Sequence, residues 1–356
     1  MRKLSRIMVT GGAGFIGSNF IRYLLALPDF TGTIVNVDKL TYAGNLENLA
    51  DIDAQFGGKR YFFERADICS FETIKEVFER HEVDTVVHFA AESHVDRSIF
   101  GPKDFMESNI MGTFTLLDVA RLLWQDKPDV LFHHVSTDEV FGSLGPTGAF
   151  TERTPYDPKS PYSASKASSD HLVRAYNHTY GLPTTLSNCS NNFGPYQFPE
   201  KLIPLMILNL LDGKPLPVYG DGKNVRDWLF VGDHSAALWL ILRKGVTGET
   251  YNIGGEKELE NIELIYLLCE KIAAIKGQNS DPLKKLITFV KDRPGHDRRY
   301  AIDCSKIKKE LGWIRKYEFS ESLEKTIVWY MENPGWVQRV RSGEYRSWIE
   351  RNYEKR

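Results

Sequence analysis

The chain has 356 residues, 42% of them apolar and 26% charged, with a formal net charge of -2. That length suits about two domains and a core large enough to need no staples. The balance argues against disorder and a fibrous repeat, and it asks for no nucleic acid or anionic membrane as partner. Cys69, Cys189, Cys269 and Cys304 lie far apart with no CxxC spacing, so reduced thiols in a cytoplasm are expected rather than a zinc site or a disulfide framework. The opening MRKLSRIMVTGGAGFIGSNF interrupts its apolar run with glycines and does not read as a signal peptide. No apolar stretch is long enough for a membrane span.

Ile7–Thr10 reads as the first strand, followed by glycines and a helix over about Ile16–Leu27. Thr33–Val37 and Arg60–Arg65 are the next strands, and Ser70–His81 is a helix with Ser70 as N-cap. Asp84–Phe89 is a strand, about Phe105–Trp124 a long helix, and Val130–Val135 a strand. A helix over Tyr162–Tyr180 and a strand over Pro183–Asn188 close the series. Strands alternating with helices predict an α/β fold, a doubly wound parallel sheet. The near-continuous runs VVHF and VLFHHV suit strands buried on both faces. From about residue 190 prolines cluster and elements shorten, which predicts a smaller substrate lobe over 191–356 beside a binding domain over 1–190. Asp227–Leu242 reads as a strand and helix returning to the first lobe, within a segment of about 227–260.

TGGAGFIG at Thr10–Gly17 follows a strand and opens a helix, the context a dinucleotide site requires. The spacing is GxxGxxG rather than GxGxxG. Gly11 suits the tight turn, Gly14 leaves the backbone open to a pyrophosphate, and Gly17 lets the helix approach the sheet. Asp38 ends the second strand, 21 residues after Gly17, where a carboxylate bonds ribose hydroxyls and repels a 2′-phosphate. NAD is therefore favoured over NADP, and Lys39 beside it weakens that preference. Asp67 suits either an adenine amine or the cap of the following helix. Ala90 and Ala91 leave room for a cofactor against the backbone.

STDEVFG at Ser136–Gly142 ends a buried strand, and ligands in open α/β sheets lie outside the carboxyl ends of strands. Asp138 and Glu139 either share one cleft, with proton affinities pushed apart into an acid and a base, or form a solvated loop. YSASK places Tyr162 and Lys166 four apart on one helix face, behind Ser160 and Pro161 as cap and first residue. A lysine ammonium beside a phenol lowers its pKa and makes Tyr162 a base for a hydroxyl. His88, His94, His133 and His134 lack metal-ligand spacing, and packing roles are expected for them.

TGGAGFIG, Asp38 and YSASK are the marks by which the chain resembles the extended short-chain dehydrogenase/reductase family. The likeness runs from Gly11 to Asp303 through VDKLTYAGNLENL, FAAESHVDRSI, STDEVFG, YSASKASSDHLV, NNFGPYQFPEKLIPL, YGDGKNVRDWLFVGDH and RPGHDRRYAID. The Asp138–Glu139 pair resembles the nucleotide-sugar dehydratases of that family, since its epimerases lack the pair and its decarboxylases typically carry only the glutamate. Phe141 and Phe193 stand where the family usually has tyrosine, and Ser108 where it usually has threonine. The last two are expected to touch the ligand region.

The resemblance implies a Rossmann-like fold with a smaller α/β lobe, bound NAD, a dTDP-glucose substrate, a homodimer built on the two long helices, and deoxysugar (rhamnose-type) biosynthesis in the cytoplasm. It assigns Tyr162, with Lys166, to oxidation at C4, Glu139 to the C5 proton, Asp138 to the C6 hydroxyl and Thr137 to the C4 oxygen. It gives the cofactor Gly11, Gly14, Phe15, Ile16, Gly17, Asp38, Lys39, Leu40, Thr41, Asp67, Ile68, Phe89, Ala90, Ala91, Ser93, Ser108 and Asn192, with Tyr162 and Lys166. It gives the substrate Ser93, Thr137, Asn191, Glu200, Lys201, Leu202, Tyr219, Arg226, Asn261, Arg293, His296 and Tyr300, and it implies no metal. For Arg226 an ion pair with Asp227 is the other reading. A related epimerase or decarboxylase, which would not need Asp138, is the competing enzyme. A binding protein that lost catalysis would lack Tyr162, Lys166 or the acid pair, and all are present.

Overall fold

The computed structural model describes residues 2–125 and 127–341. Its strands, in chain order, are β1 (Arg6–Thr10), β2 (Thr33–Asp38), β3 (Tyr61–Arg65), β4 (Thr85–His88), β5 (Leu131–Thr137), β6 (Thr184–Cys189), β7 (Asn191–Phe193), β8 (Leu216–Tyr219), β9 (Val225–Phe230), β10 (Thr250–Ile253), β11 (Glu258–Glu260) and β12 (Ile287–Val290). Seven of them form one parallel sheet in the order β10-β6-β5-β4-β1-β2-β3. The order reverses beside β1, so the chain leaves the paired strands β1 and β4 toward opposite faces and opens a crevice at their carboxyl ends. β4, β5 and β6 are buried along their whole length, which explains their unbroken apolar or small-residue character.

Two hydrophobic clusters cover the sheet, one on each face. The Phe15–Ala26 helix packs on one side through Phe20, Ile21, Leu24 and Leu25. The Phe71–Arg80 and Gly112–Leu123 helices cover the other through Ile74, Val77, Phe78, Leu116 and Ala120. A third cluster, joining the Leu202–Asp212, Asn261–Ile275 and Phe319–Glu332 helices, is the core of the later residues. There β7, β9 and β11 form a three-stranded sheet, and β8 pairs with β12.

The region expected to return to the first lobe divides. β9 pairs with β7 and β11 in the small sheet, so its strand does not return. The Val231–Lys244 helix does, packing Trp239 edge-on against Phe30 at 5.7 Å, and β10 joins the edge of the main sheet beside β6. Residues 342–356, the end of the expected substrate lobe, lie outside the described residues.

The long helix expected over Phe105–Trp124 is corrected in kind. It begins at Pro102 as α-helix, widens to a π-helix over Met106–Met111 and resumes as α-helix over Gly112–Leu123. Asn109 in the wide turn exchanges hydrogen bonds with the Glu92 backbone, accepting at 2.8 Å and donating at 3.0 Å. Gly112 lets the helix close on Ile68, whose Cδ1 lies 2.3 Å from where a Cβ would be. Such π turns gather at functional sites, and this one faces the crevice with Ser108.

Candidate active site

The crevice is a cavity of about 300 Å³, lined among others by Gly14, Glu200 and Lys201. Gly11 has φ +69° and could carry no Cβ, because Ala90 N would lie 2.7 Å away. A Cβ on Gly17 would meet Gly11 O at 2.4 Å, whereas one on Gly14 would meet only Gly11 O, at 3.2 Å. Gly17 thus serves the turn, and Gly14 keeps its open side to the cavity. No side chain caps the helix that follows, so its first N–H groups and positive end are free for an anion.

Asp38 is tied to this cradle by its carboxylate. Its Oδ2 accepts from Ala13 N–H at 3.0 Å and its Oδ1 from Leu40 N–H at 2.8 Å. Burial raises its pKa, and those two bonds oppose the rise. Lys39 turns away and pairs with Asp67 at 2.6 Å, which neutralises the charge that could have welcomed a 2′-phosphate. Asp67 also accepts from Cys69 N–H, so it caps the following turn and lines the cavity at once. The residues fit a dinucleotide without a 2′-phosphate.

Of the expected cofactor residues, only Leu40 stands off the cavity wall; its part is the backbone bond to Asp38. Asn192 lines the wall, and His234 orients it, with Nδ1 2.9 Å from Asn192 Oδ1. Tyr42, Glu92, Gln197 and Phe198 also line the cavity. The Arg97 guanidinium stacks on Tyr42, 3.7 Å from its ring centre, and bonds Glu200 at 3.1 Å. These residues lie in segments that match the family, but the Arg97 contacts to Tyr42 and Glu200 join segments more than fifty residues apart and have no local signal.

The reactive groups meet at the carboxyl end of β5. Ser160 and Ser163 form a capping box, and Pro161 takes the first helical position, so the Pro161–Tyr180 helix starts where Tyr162 faces the cavity. Lys166, one turn on, is buried and donates to Val135 O at 2.9 Å. The Thr137 hydroxyl accepts from Glu139 N–H at 3.2 Å and reaches Asp138 at 3.3 Å. The expected lowering of the Tyr162 pKa does not come from Lys166. Burial and the Glu139 carboxylate hold the phenol well above its usual value, and the Thr137 hydroxyl works against them.

The acid pair is not a solvated loop. Asp138 is 1% exposed, and its Oδ2 has no hydrogen-bond partner among the described residues. Burial and the adjacent Glu139 hold its pKa well above the carboxylate range. Glu139 is half-buried and lines the cavity. Burial raises its pKa too, but Arg293, Lys201 and Arg226 oppose that rise. Burial thus favours the protonated form of Asp138 the more strongly, while Glu139 has cations to support its charge.

Ser93, Thr137, Asn191, Glu200 and Lys201 line the same cavity, and Lys201 Nζ donates to Ser93 O at 2.8 Å. Leu202, Tyr219, Arg226, Asn261, Arg293, His296 and Tyr300 do not line it. Several of these form an adjoining cluster. Tyr219 donates to Asp96 at 3.0 Å, Arg293 lies 3.8 Å from Asp96, and the Tyr219 and His296 rings meet edge-on at 6.1 Å. Arg226 stacks 4.3 Å over Tyr300 and donates to the Val225 and Asp297 carbonyls. It forms no ion pair with Asp227, whose carboxylate is taken by Gly255 and Lys257 N–H groups. Leu202 and Asn261 begin helices of the third core. Phe193 is withdrawn from the ligand region altogether. It is fully buried, 5.7 Å from the Phe230 ring and 5.4 Å from Phe319, where a hydroxyl would find no water.

The family model described as GDP-mannose 4,6 dehydratase matches residues 8–326. The dTDP-glucose 4,6-dehydratase of Salmonella typhimurium is 53% identical, with 99% of each chain covered. That of Neisseria meningitidis is 55% identical over 96% of this chain and 98% of its own. Among solved structures, the dTDP-glucose 4,6-dehydratase DesIV of Streptomyces venezuelae, with NAD and TYD bound, is 47% identical with a TM-score of 0.86 over 94% of this chain and 99% of its own. A UDP-glucose 4-epimerase of Thermotoga maritima shares the fold at 28% identity, with a TM-score of 0.80 over 92% of this chain and 99% of its own. The fold and the Tyr162–Lys166 site are those of an extended short-chain dehydrogenase/reductase. Within that class the chain belongs to the dTDP-glucose 4,6-dehydratase family.

Proposed function

We propose that this chain removes water from dTDP-glucose to give dTDP-4-keto-6-deoxy-glucose. The observation that carries the proposal is the acid pair beside Tyr162: Asp138 is buried with its Oδ2 unpartnered among the described residues, and Glu139 lines the cavity with Tyr162, its charge favoured by Arg293, Lys201 and Arg226. NAD, when bound, would supply a two-electron acceptor for C4, a donor for C6 once reduced, and a positive charge that favours the phenolate. Tyr162 takes the proton of the C4 hydroxyl, aligned by Thr137. The C4 ketone makes the C5 hydrogen acidic, and Glu139 removes it. Asp138 gives its proton to the departing C6 hydroxyl, so the leaving group is water. A proton then returns to C5 from Glu139. An epimerase would share Tyr162 and Lys166 but have no use for a protonated Asp138.

The adjoining cluster of Arg226, Arg293, His296, Tyr219 and Tyr300 is where the nucleotide end of the substrate fits, since arginine forks match a diphosphate. The lobes follow this division: residues 1–190, with the helix and edge strand of 227–260, hold the cofactor, and 191–356 mainly hold the nucleotide sugar. A cytoplasmic place in deoxysugar synthesis accords with the reading; no helix among the described residues is long and apolar enough to cross a membrane. Incubation with dTDP-glucose and, separately, UDP-glucose tests the assignment through the alkaline absorbance of the 4-keto product. Strong signal from dTDP-glucose is expected, and none from either sugar would refute it.

The cofactor must stay bound between the two redox steps, so NAD should copurify. Asp38→Ala removes a charged acceptor, and hydrogen bonds to charged groups are worth ~1.5–3 kcal/mol. Retention of NAD should fall about 10–100-fold, read by equilibrium dialysis. The assembly should be a homodimer. Met111, Phe114 and Leu122 are 51%, 39% and 45% exposed at helical spacing, beside the Pro161–Tyr180 helix. A second copy would cover such a face. Light scattering at micromolar concentration should give twice the chain mass.

A further inference from the structure

Behind the reactive helix lies a charge that touches neither sugar nor cavity. Asp170 stands one turn beyond Lys166 on the Pro161–Tyr180 helix and is fully buried. Its Oδ2 accepts the hydroxyls of Ser136 and Tyr156, each at 2.8 Å. Its Oδ1 lies 3.2 Å from His134 Nε2, and the same nitrogen lies 3.2 Å from Lys166 Nζ. One ring nitrogen cannot donate to a carboxylate and accept from an ammonium together. Burial and the neighbouring Lys166 charge keep His134 neutral. When His134 accepts from Lys166, Oδ1 is left without a donor, as the geometry shows it. A buried carboxylate oxygen in that position is costly unless a cation balances it.

We infer that Asp170 is a positioning residue for the oxidation step, the buried counter-charge that holds the Lys166 ammonium in place, with His134 packed between them. The inference rests on the reading of Lys166 as partner to Tyr162. Lys166 has its pKa lowered to about 8 by burial, and Asp170 is the largest influence against that fall. Of the other groups around the pair, Arg174 is the one that adds a full charge, on the Asp170 side. Tyr162 shares their helix, His88 on β4 lies 5.1 Å from the His134 ring and is itself held neutral, and Cys189 faces from β6 with its thiol raised to about 12. Asp138, protonated, lies beyond Cys189. Arg174 bonds the outer side of Tyr156 at 2.8 Å, so it fixes the phenol that fixes Asp170.

Asp170→Asn is close to isosteric, and its amide oxygen can still accept from Ser136 and Tyr156. Without the carboxylate, Lys166 loses its proton at lower pH. The alkaline limb of kcat on dTDP-glucose should then move down by about one pH unit or more, the size expected for a close opposite charge. KM should stay within about twofold, because Asp170 does not line the cavity. Tyr156→Phe removes one bond to the carboxylate and should give a smaller shift in the same direction; it carries the test if Asp170→Asn does not fold. A loss of rate equal at all pH values, or an unmoved limb, would overturn the inference. A second readout needs no turnover: NAD retained through gel filtration at rising pH, since Lys166 lines the cavity that would hold the cofactor. Asp170→Asn should release NAD at lower pH than the parent, and identical release curves would overturn the inference. A parent that retains NAD but leaves dTDP-glucose unchanged would refute the proposed function alone.

Discussion

Tyr162→Phe should lower kcat by about 10²–10⁴-fold, the usual worth of a positioned general base. The substitution removes one oxygen from a buried site, so the fold should hold. The loss should appear in the first chemical step. The C4 hydroxyl keeps its proton, no ketone forms, and the C5 hydrogen stays non-acidic. Rapid mixing with dTDP-glucose should show slow growth of the reduced-nicotinamide absorbance, and substrate recovered from D2O should carry no deuterium at C5. A residual rate within tenfold of the parent would remove Tyr162 from that role.

Asp138→Asn should separate oxidation from elimination. The amide matches the carboxyl in size but has no acidic proton for the C6 hydroxyl. Its site can hold an amide, since burial already keeps the native group uncharged. Oxidation should stay near the parent rate, and water loss should slow by about 10²-fold or more. The reduced-nicotinamide absorbance should therefore build up and persist. Glu139→Gln should also let it build up, and should additionally stop C5 exchange with solvent, which Asp138→Asn leaves running. The pH dependence has a definite sign. Glu139 must be ionised, and Lys166 and Asp138 protonated. Activity should therefore fall as acid protonates Glu139 and, on the alkaline side, as Lys166 with its pKa of about 8 loses its proton, with loss of the Asp138 proton adding to the fall.

The glycine turn, Asp38 and the YSASK helix were legible because each is local: a turn, a strand end, a capped helix. The parallel sheet was legible for the same reason, through its unbroken buried runs. What escaped depends on contacts between distant segments. Asp67 could not be divided between cap and cavity until Lys39 was seen to turn onto it. Phe193 follows the NN of a matching segment, yet its ring points into the third core between Phe230 and Phe319. The Arg226 guanidinium, expected to meet a diphosphate or to pair with Asp227, leaves Asp227 alone and gives part of its fork to the Val225 and Asp297 carbonyls. The π turn at Met106–Met111 has no composition of its own; Asn109 and the close approach of Gly112 to Ile68 stabilise it. His134 reads as a packing residue and Asp170 draws no reading from the sequence, because their charge relation arises only where β5 meets the helix of Lys166.

The most direct test of transient oxidation with an acid–base pair is the fate of one labelled hydrogen. dTDP-glucose carrying deuterium at C4 should be converted in ordinary water and the product read by NMR and mass spectrometry. The account predicts that the deuterium reappears at C6 of the same sugar, while the C5 hydrogen comes from solvent. A product with no label at C6, or a C5 hydrogen retained from substrate, would contradict it.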